Sequence, residues 1–579
     1  MIGNAVASIA DNTFSGCTGL NLVRLGQSNS TGNNVITVSS YAFYGCTNFA
    51  SLELNRSINI GGDSPFATIS NLTVGNGVAF IGDETFNLCV NLTSVILPSS
   101  VKKIGMESFM NCSKLQSIKL PGVNSIGQGA FWGCSALTSI AIPSGVKNIL
   151  GQTFFSCSAL SSVSMNDSIT EIGEEAFSGC NHLISIAIPN LVKQVDTNAF
   201  YGCSSLTSVI LGSSLAIIGS HSFSGCTALQ SIDFPASLNG IGDHAFENCV
   251  GLPSLFIPSS VTSIGLEAFT NCSGISTLTI GDANNPGSTL GFSGYTFDGC
   301  TGIKSLILNK DIYDDSSFSP FLGLRALTSL TISKNVTHVN TFAFDGCSAL
   351  SSVNIPNSVL SVNSAAFEGC SALTNITLPN NITYLANQMF YGCSQLQTVS
   401  IPSTVVTIGA YAFYECTNLT SLTIPRGVMA IGGLTFYGCT NLAELTSYNP
   451  VPPPVGSICF YQVPTSTCIL YVPAGSKTAY QTANQWKDFT HIVEMVNTGV
   501  SSQTIDPLSI YPNPVTDGFY IKGLTESGLL TLTNLSGRIM LTKQVTGNEY
   551  VSISTLPKGL YIVRLITAKE TREQKIVKI

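Results

Sequence analysis

The chain has 579 residues, of which 44% are hydrophobic and only 10% charged, with 53 glycines and 19 cysteines. Its net charge of −8 and pI near 5.2 leave no basic footprint for nucleic acid or for an anionic membrane surface. No apolar run approaches the roughly eighteen residues of a membrane span, and the composition is too apolar for a disordered chain.

The start lacks a basic segment followed by an apolar stretch, so no secretory signal is read there. Met1 instead opens inside a repeating unit, because Val6 to Ile9, Phe14 and Cys17 match Val101 to Ile104, Phe109 and Cys112. An N-terminal cap of the array is therefore missing from the pattern.

From there a phenylalanine recurs nineteen times, at Phe14, Phe43, Phe66, Phe86, Phe109, Phe131, Phe154, Phe177, Phe200, Phe223, Phe246, Phe269, Phe297, Phe321, Phe344, Phe367, Phe390, Phe413 and Phe436. In seventeen of the nineteen a cysteine follows three residues later. Between Cys134 and Cys272, and again between Cys347 and Cys439, the step is 23 residues each time. A fixed period of this length predicts a solenoid of about 19 coils, in which no single coil can bury its apolar face alone.

Residues 89–112 show how one coil is expected to run. Leu92, Val95 and Leu97 follow L-x-x-L-x-L, with Ser94 and Ile96 alternating outward, the pattern of a short strand. Pro98 has no N–H to give a ladder and ends it. Val101 and Ile104 form a second inward stretch, Gly105 is expected to take a positive φ, and a helical or 3₁₀ turn carries Phe109 inward. Stacking at ~4.8 Å per coil would sandwich each Phe between two others.

Two coils depart from the pattern. Ile69 and Leu324 replace the cysteine, both coils carry Ser-Pro-Phe (Ser64 to Phe66, Ser319 to Phe321), and both follow Leu-Asn instead of Leu-Pro. These are expected to bend the solenoid or to bulge a loop. After Cys439 the period is expected to end, with a last strand at Ile469 to Val472 and a helix from Lys477 to Asn484 capped by Ser476. Trp486, Phe489 and Ile492 would then cover the open end of the core. Residues 446–496 form this cap, 497–508 read as a polar linker, and 509–579 break into short alternating segments of a small antiparallel β-sandwich.

The coil pattern L-x-x-I-x-L-P-x-x-V-x-x-I-G-x-x-A-F-x-G-C resembles the BspA-type leucine-rich repeat over residues 1–445, with Gly265 to Cys272 and Ser400 to Cys416 close to the family pattern. The stretch from Leu470 to Glu494 resembles the lid that often ends such arrays. The tail is similar to the type A C-terminal sorting domain of the type IX secretion system. That likeness rests on Tyr511-Pro512-Asn513-Pro514, on Asn534 to Arg538 with Gly537, on Leu556 to Tyr561 with Gly559 and Tyr561, and on the basic end from Lys575 to Lys578. The resemblance implies export to the outer cell surface or release, the type IX secretion machinery as a partner, and adhesion to a protein or glycan of a host or of other bacteria. A structural surface stalk without a specific ligand is the alternative.

No HExxH, GxSxG or GxxxxGK[ST] motif occurs, no cofactor is expected, and the chain is not read as an enzyme. Seventeen cysteines in one column point their Cβ vectors the same way and read as reduced structural thiols, whereas Cys459 and Cys468 are the better candidates for a bridge. No CxxC occurs and no metal site is expected. His221 and His244, each two residues before a coil Phe, read as a partly exposed stacked pair. A row of outward hydroxyls from Ser94 to Ser352 reads first as a consequence of close coil packing. The residue after the coil Phe is aromatic in seven coils, at Tyr44, Trp132, Phe155, Tyr201, Tyr391, Tyr414 and Tyr437. Of these Tyr391, Tyr414 and Tyr437, with Trp132 and Phe155, are the candidate ligand-binding residues.

Overall fold

The computed structural model describes residues 1–27, 35–314, 319–495, 509–511, 515–522, 524, 527–534, 538–546, 549–567 and 571–578. The chain divides into two compact units, Met1–Met495 and Val496–Ile579.

The first unit is a parallel β-solenoid, and each coil contributes a strand to two separate ladders. On one side Ser94–Ile96 pairs with Ser117–Lys119, register Ser94 to Ser117 and Val95 to Ile118. On the other, two-residue strands such as Lys103–Ile104 and Ser125–Ile126 pair coil to coil. From Asn148–Ile149 to Ile312–Asp314 this second ladder runs through eight strands without a break. Period-2 alternation does the sorting: Val95, Leu97, Val101 and Ile104 are buried and Ser94 and Ile96 exposed.

The third side carries the phenylalanine, on a run of tight turns in place of the expected helical or 3₁₀ turn. Left-handed residues stand at both ends of the run, Glu107 (φ 50°) and Asn111 (φ 57°). This geometry aims alternate N–H groups at the next coil: Glu107 donates to Gln128 O, Phe109 to Ala130 O and Asn111 to Trp132 O at 2.9, 2.9 and 2.6 Å. Gly105 does not take the expected positive φ. It is glycine because a Cβ there would lie 2.5 Å from Gly82 C and Asp83 N of the preceding coil, so close approach excludes any larger residue.

The Phe column is continuous. From Phe131 to Phe269 successive rings lie 5.2–5.5 Å apart and within 14° of parallel. The centroid spacing exceeds the ~4.8 Å strand spacing because the rings stack with an offset, the arrangement their quadrupoles favour. Each buried Phe contributes about 1.5–3 kcal/mol.

The two irregular coils follow a shared device that their Leu-Asn sequences announce. Arg56 and Lys310, the residues after those asparagines, are almost fully buried. Arg56 donates to the carbonyls of Gly3, Asn4, Val6 and Val35, and Lys310 Nζ to those of Ser259 and Val261 at 3.0 and 2.9 Å, so each cation reaches back two coils. Ser64 and Ser319 donate to carbonyls of the next coil, Thr85 O at 2.7 Å and Ala343 O at 3.0 Å. The Phe rings on either side of Phe66 and Phe321 stand about 6.0 Å away.

The period does not end at Cys439. Phe460 stacks on Phe436 at 5.6 Å and 5°, adding a twentieth rung. The lid then closes over it: Trp486 and Phe489 lie 5.0 and 5.1 Å from the Phe460 ring, and Trp486 Nε1 donates to Pro453 O. The helix is Lys477–Thr482, and the Ser476 hydroxyl makes no capping bond. Its first N–H groups are met from elsewhere, Lys477 N donating to Glu494 Oε1 at 2.9 Å. A final parallel strand, His491–Glu494, pairs with Ile469–Val472.

The second unit holds two antiparallel sheets. Ser509–Tyr511, Gly518–Lys522 and Glu549–Ser552 form one, and Ile539–Thr546, Ser527–Asn534, Gly559–Thr567 and Thr571–Lys578 the other. Between them lies a core that includes Phe519, Ile521, Leu530, Leu532, Val545, Val551, Val563 and Ile576.

Candidate functional site

The aromatic column is positioned by the same turns that place the core Phe. Each column residue directly follows that Phe, so it faces out where the Phe faces in, and its carbonyl is tied to the preceding coil. Gly392 N donates to Tyr414 O at 2.8 Å, Glu415 N to Tyr437 O at 2.7 Å and Gly438 N to Tyr461 O at 3.0 Å. Side chains in one position therefore stack. Tyr391 and Tyr414 lie 4.5 Å apart at 4°, Tyr414 and Tyr437 4.7 Å at 7°, and Tyr437 and Tyr461 5.1 Å at 23°. Tyr411 adds a tilted ring 5.7 Å from Tyr414.

Two of these residues carry little signal in the sequence. Tyr461 follows Phe460 in a coil without the cysteine three residues on, and the repeated Phe-Tyr pair was its only signal. Tyr411 lies two residues before Phe413, in a left-handed position that is not aromatic in most coils. The other candidates form a smaller group: Trp132 and Phe155 touch at 4.9 Å with a 59° tilt. Tyr44 and Tyr201, also in the column, are exposed.

Stacking decides what the tyrosines can offer. Inside the row the ring faces cover one another, so what meets solvent is a line of ring edges and phenol hydroxyls. The column continues towards the N-terminus as Glu368 and Asp345. Burial raises the pKa of both carboxyls, with the Asp345 charge adding to the effect on Glu368, and Glu368 Oε2 has no hydrogen-bond partner. Burial also raises the Tyr391 phenol, with the charges of Glu415 and Glu368 adding to it. Six successive coils thus present two carboxyls and then four phenols in one line.

The hydroxyl row on the strand side is in register and largely exposed, with Ser185, Ser208 and Ser231 opposite one another, and likewise Ser254, Thr277, Ser305 and Ser329. All nineteen cysteines are free thiols. Cys459 and Cys468, the expected bridge candidates, are both buried and unpaired. Cys459 occupies the position before Phe460 inside the last coil, and Cys468 the position before the strand Ile469–Val472.

Of the sorting-motif residues, Tyr511 ends the strand Ser509–Tyr511. Tyr561 is buried with its hydroxyl donating to Pro557 O at 2.7 Å. Gly559 takes φ 154° at the start of its strand. Pro512, Asn513, Pro514 and Gly537 lie outside the described residues. Lys578, read as part of a basic end, is buried and donates to the carbonyls of Ile553, Ser554 and Leu556 at 2.6–2.9 Å.

Among the described residues no helix is long and apolar enough to cross a membrane. The BspA type leucine rich repeat region matches in 6 copies over residues 1–76, 79–207, 193–320 and 316–443, and the secretion system C-terminal sorting domain over 509–579. No curated protein matches the chain. Similar solved structures include a leucine-rich repeat protein from Bacteroides ovatus, at 23% identity and TM-score 0.38, covering 73% of this chain and 83% of that one. A leucine rich cell surface protein from Faecalibacterium prausnitzii shares 27% identity at TM-score 0.26, covering 64% of this chain and 83% of its own. The leucine rich repeat protein of T. pallidum shares 29% over 36% of this chain and 84% of its own, at TM-score 0.26. With the repeat profile spanning well over half of its length, the chain belongs to the BspA type leucine-rich repeat family, and its sorting domain marks it for type IX secretion to the cell surface or beyond.

Proposed function

We propose that this surface or secreted protein is a non-catalytic binding protein that engages a protein or glycan ligand in adhesion to a host or to other bacteria. The observation that carries the reading is the in-register row Tyr391, Tyr414, Tyr437 and Tyr461, three contacts long at 4.5–5.1 Å. Aromatic residues with a polar tip are over-represented where proteins bind partners, because they combine apolar area with low entropy cost and a hydrogen-bonding group. The repeat and sorting families that match are not catalytic ones.

The row also favours one mode of contact. A sugar ring stacks on an aromatic face, but here the faces are spent on one another. The ligand is therefore met by hydroxyls and ring edges along the row, with Glu368 and Asp345 at one end. That same self-coverage is what supports the second reading, a stalk whose tyrosines shield the edge of the Phe column.

The two readings separate on arrays of glycans and matrix proteins probed with the full chain and with a Tyr391→Ser, Tyr414→Ser, Tyr437→Ser variant. Binding by the parent that the variant loses supports adhesion through the row. Equal binding by both removes the row from the site, and no binding by the parent favours the stalk.

A further inference from the structure

A second cluster lies in the central coils, away from the tyrosine row in sequence. His221 and His244 occupy the same left-handed position in successive coils, both at φ 53°. Their backbones are held by the bonds from His221 N to Asp243 O and from His244 N to Leu266 O, each 2.8 Å. The two imidazoles stack at 4.6 Å and 2°. Glu247 and Glu267 converge on them, their Oε2 atoms 3.3 and 3.7 Å from His244 Nδ1. That nitrogen is buried and makes no hydrogen bond. One donor atom each from His221, His244 and Glu247 falls within 4.8 Å of the others.

We propose that His221, His244 and Glu247 bind a divalent transition-metal ion of the zinc class. Two imidazoles and a carboxylate are borderline ligands that suit Zn²⁺, Ni²⁺, Co²⁺ or Cu²⁺, whereas Ca²⁺ and Mg²⁺ prefer an all-oxygen set. At metal–ligand distances of about 2.0–2.2 Å, tetrahedral donors stand roughly 3.3–3.6 Å apart. The three atoms reach this by closing up to about 1.5 Å as the two parallel imidazoles tilt towards one ion, a movement that rotation of the partly exposed side chains supplies while the backbone stays pinned. Glu267 adds a second negative charge beside the bound cation. His221 and Glu247 also line a groove of about 460 Å³ with Phe155, Glu175 and Tyr201. Three protein ligands leave the fourth position facing outward, so the ion would offer that groove a coordination site for an oxygen or nitrogen donor.

The test uses metal-stripped full-length protein titrated calorimetrically with Zn²⁺ and Ni²⁺, and with Co²⁺ followed by absorption. Asparagine occupies the histidine position one coil earlier, Asn198 at φ 55°, so a His221→Asn, His244→Asn variant keeps the turn. Its circular dichroism should match the parent's. The expected result is one ion per chain, bound at about micromolar strength and lost in the histidine variant, with at least a tenfold loss in Glu247→Gln. The Co²⁺ spectrum should carry d–d bands without thiolate charge transfer. No binding near one equivalent, unchanged affinity in the histidine variant, or a thiolate spectrum placing the ion on cysteine would each overturn the proposal.

Discussion

The thiol of Cys249 donates to the carbonyl oxygen of Phe223, 3.3 Å away in the preceding coil. That oxygen already accepts the N–H of Cys226 at 3.2 Å, so both its lone pairs are used. The same link joins Cys112 to Phe86, Cys203 to Phe177 and Cys439 to Phe413. Cysteine suits the position because it is small and apolar yet still a donor. From Cys46 to Cys439 the column thiols are aimed at carbonyls of the preceding coil and not at one another.

Burial pushes the thiols of Cys157 and Cys203 up to about 12 from an ordinary 9.0, and raises those of Cys180, Cys226 and Cys416 as well. The folded chain keeps these protons above pH 9, where the unfolded chain has released them. Stability from this source is thus fully present below pH 9 and is lost as pH climbs towards 12, at up to about 1.4 kcal/mol per thiol per pH unit. Urea midpoints of residues 1–495 should be level from pH 6 to 8 and fall steeply above 9. A midpoint that holds at pH 10.5 would contradict the buried neutral column.

The Phe column predicts a gradient of cost. Phe223 is fully buried between Phe200 and Phe246, at 5.2 and 5.3 Å. Phe14 is only partly buried, with Phe43 as its single ring neighbour among the described residues. Phe223→Ala should cost about 3–5 kcal/mol and Phe14→Ala much less. Equal losses in urea melts would mean that the rings do not form one interior spine.

The Phe and Cys period made the solenoid legible because every coil must bury the same face, so selection for packing writes one pattern many times. What stayed hidden lay where that pattern breaks for local reasons. Phe460 and Tyr461 continue both columns, but Cys459 precedes the ring where seventeen other coils carry a cysteine after it. Arg56 and Lys310 carry no signal in the sequence, because a charged residue in a core position breaks the apolar pattern and only the fold shows the carbonyls it serves. The sequence points to Gly105's own backbone conformation, whereas the constraint comes from the neighbouring coil. In the tail, the strand Ile539–Thr546 is hard to read from sequence because its alternation is weak and Ile539 is exposed.

Export supplies a prediction about the tail. The unit Met1–Met495 has its own continuous core, so removing residues 509–579 should leave it folded but retained within the cell envelope. Protease shaving of intact cells and fractionation would read this directly. Delivery of the truncated chain to the surface at parental levels would show that the tail is not the address.

Within the tyrosine row, position should set importance. Tyr414 has a stacked ring on each side, at 4.5 and 4.7 Å, whereas Tyr461 has one at 5.1 Å and is 55% exposed. Binding energy concentrates at the shielded centre of a contact and fades at its wet rim. Tyr414→Ser should therefore weaken a ligand found by array screening by about 2 kcal/mol, roughly thirtyfold, and Tyr461→Ser by about 1 kcal/mol or less. Neither should move Tm by more than a few degrees, since the core beneath rests on Phe413 and Phe460. Trp132→Ser, in the separate pair with Phe155, should leave affinity unchanged. Loss at Trp132 with no loss at Tyr414 would move the site to that pair. Unchanged affinity at all three would return the column to shielding the Phe ladder, the role a stalk requires.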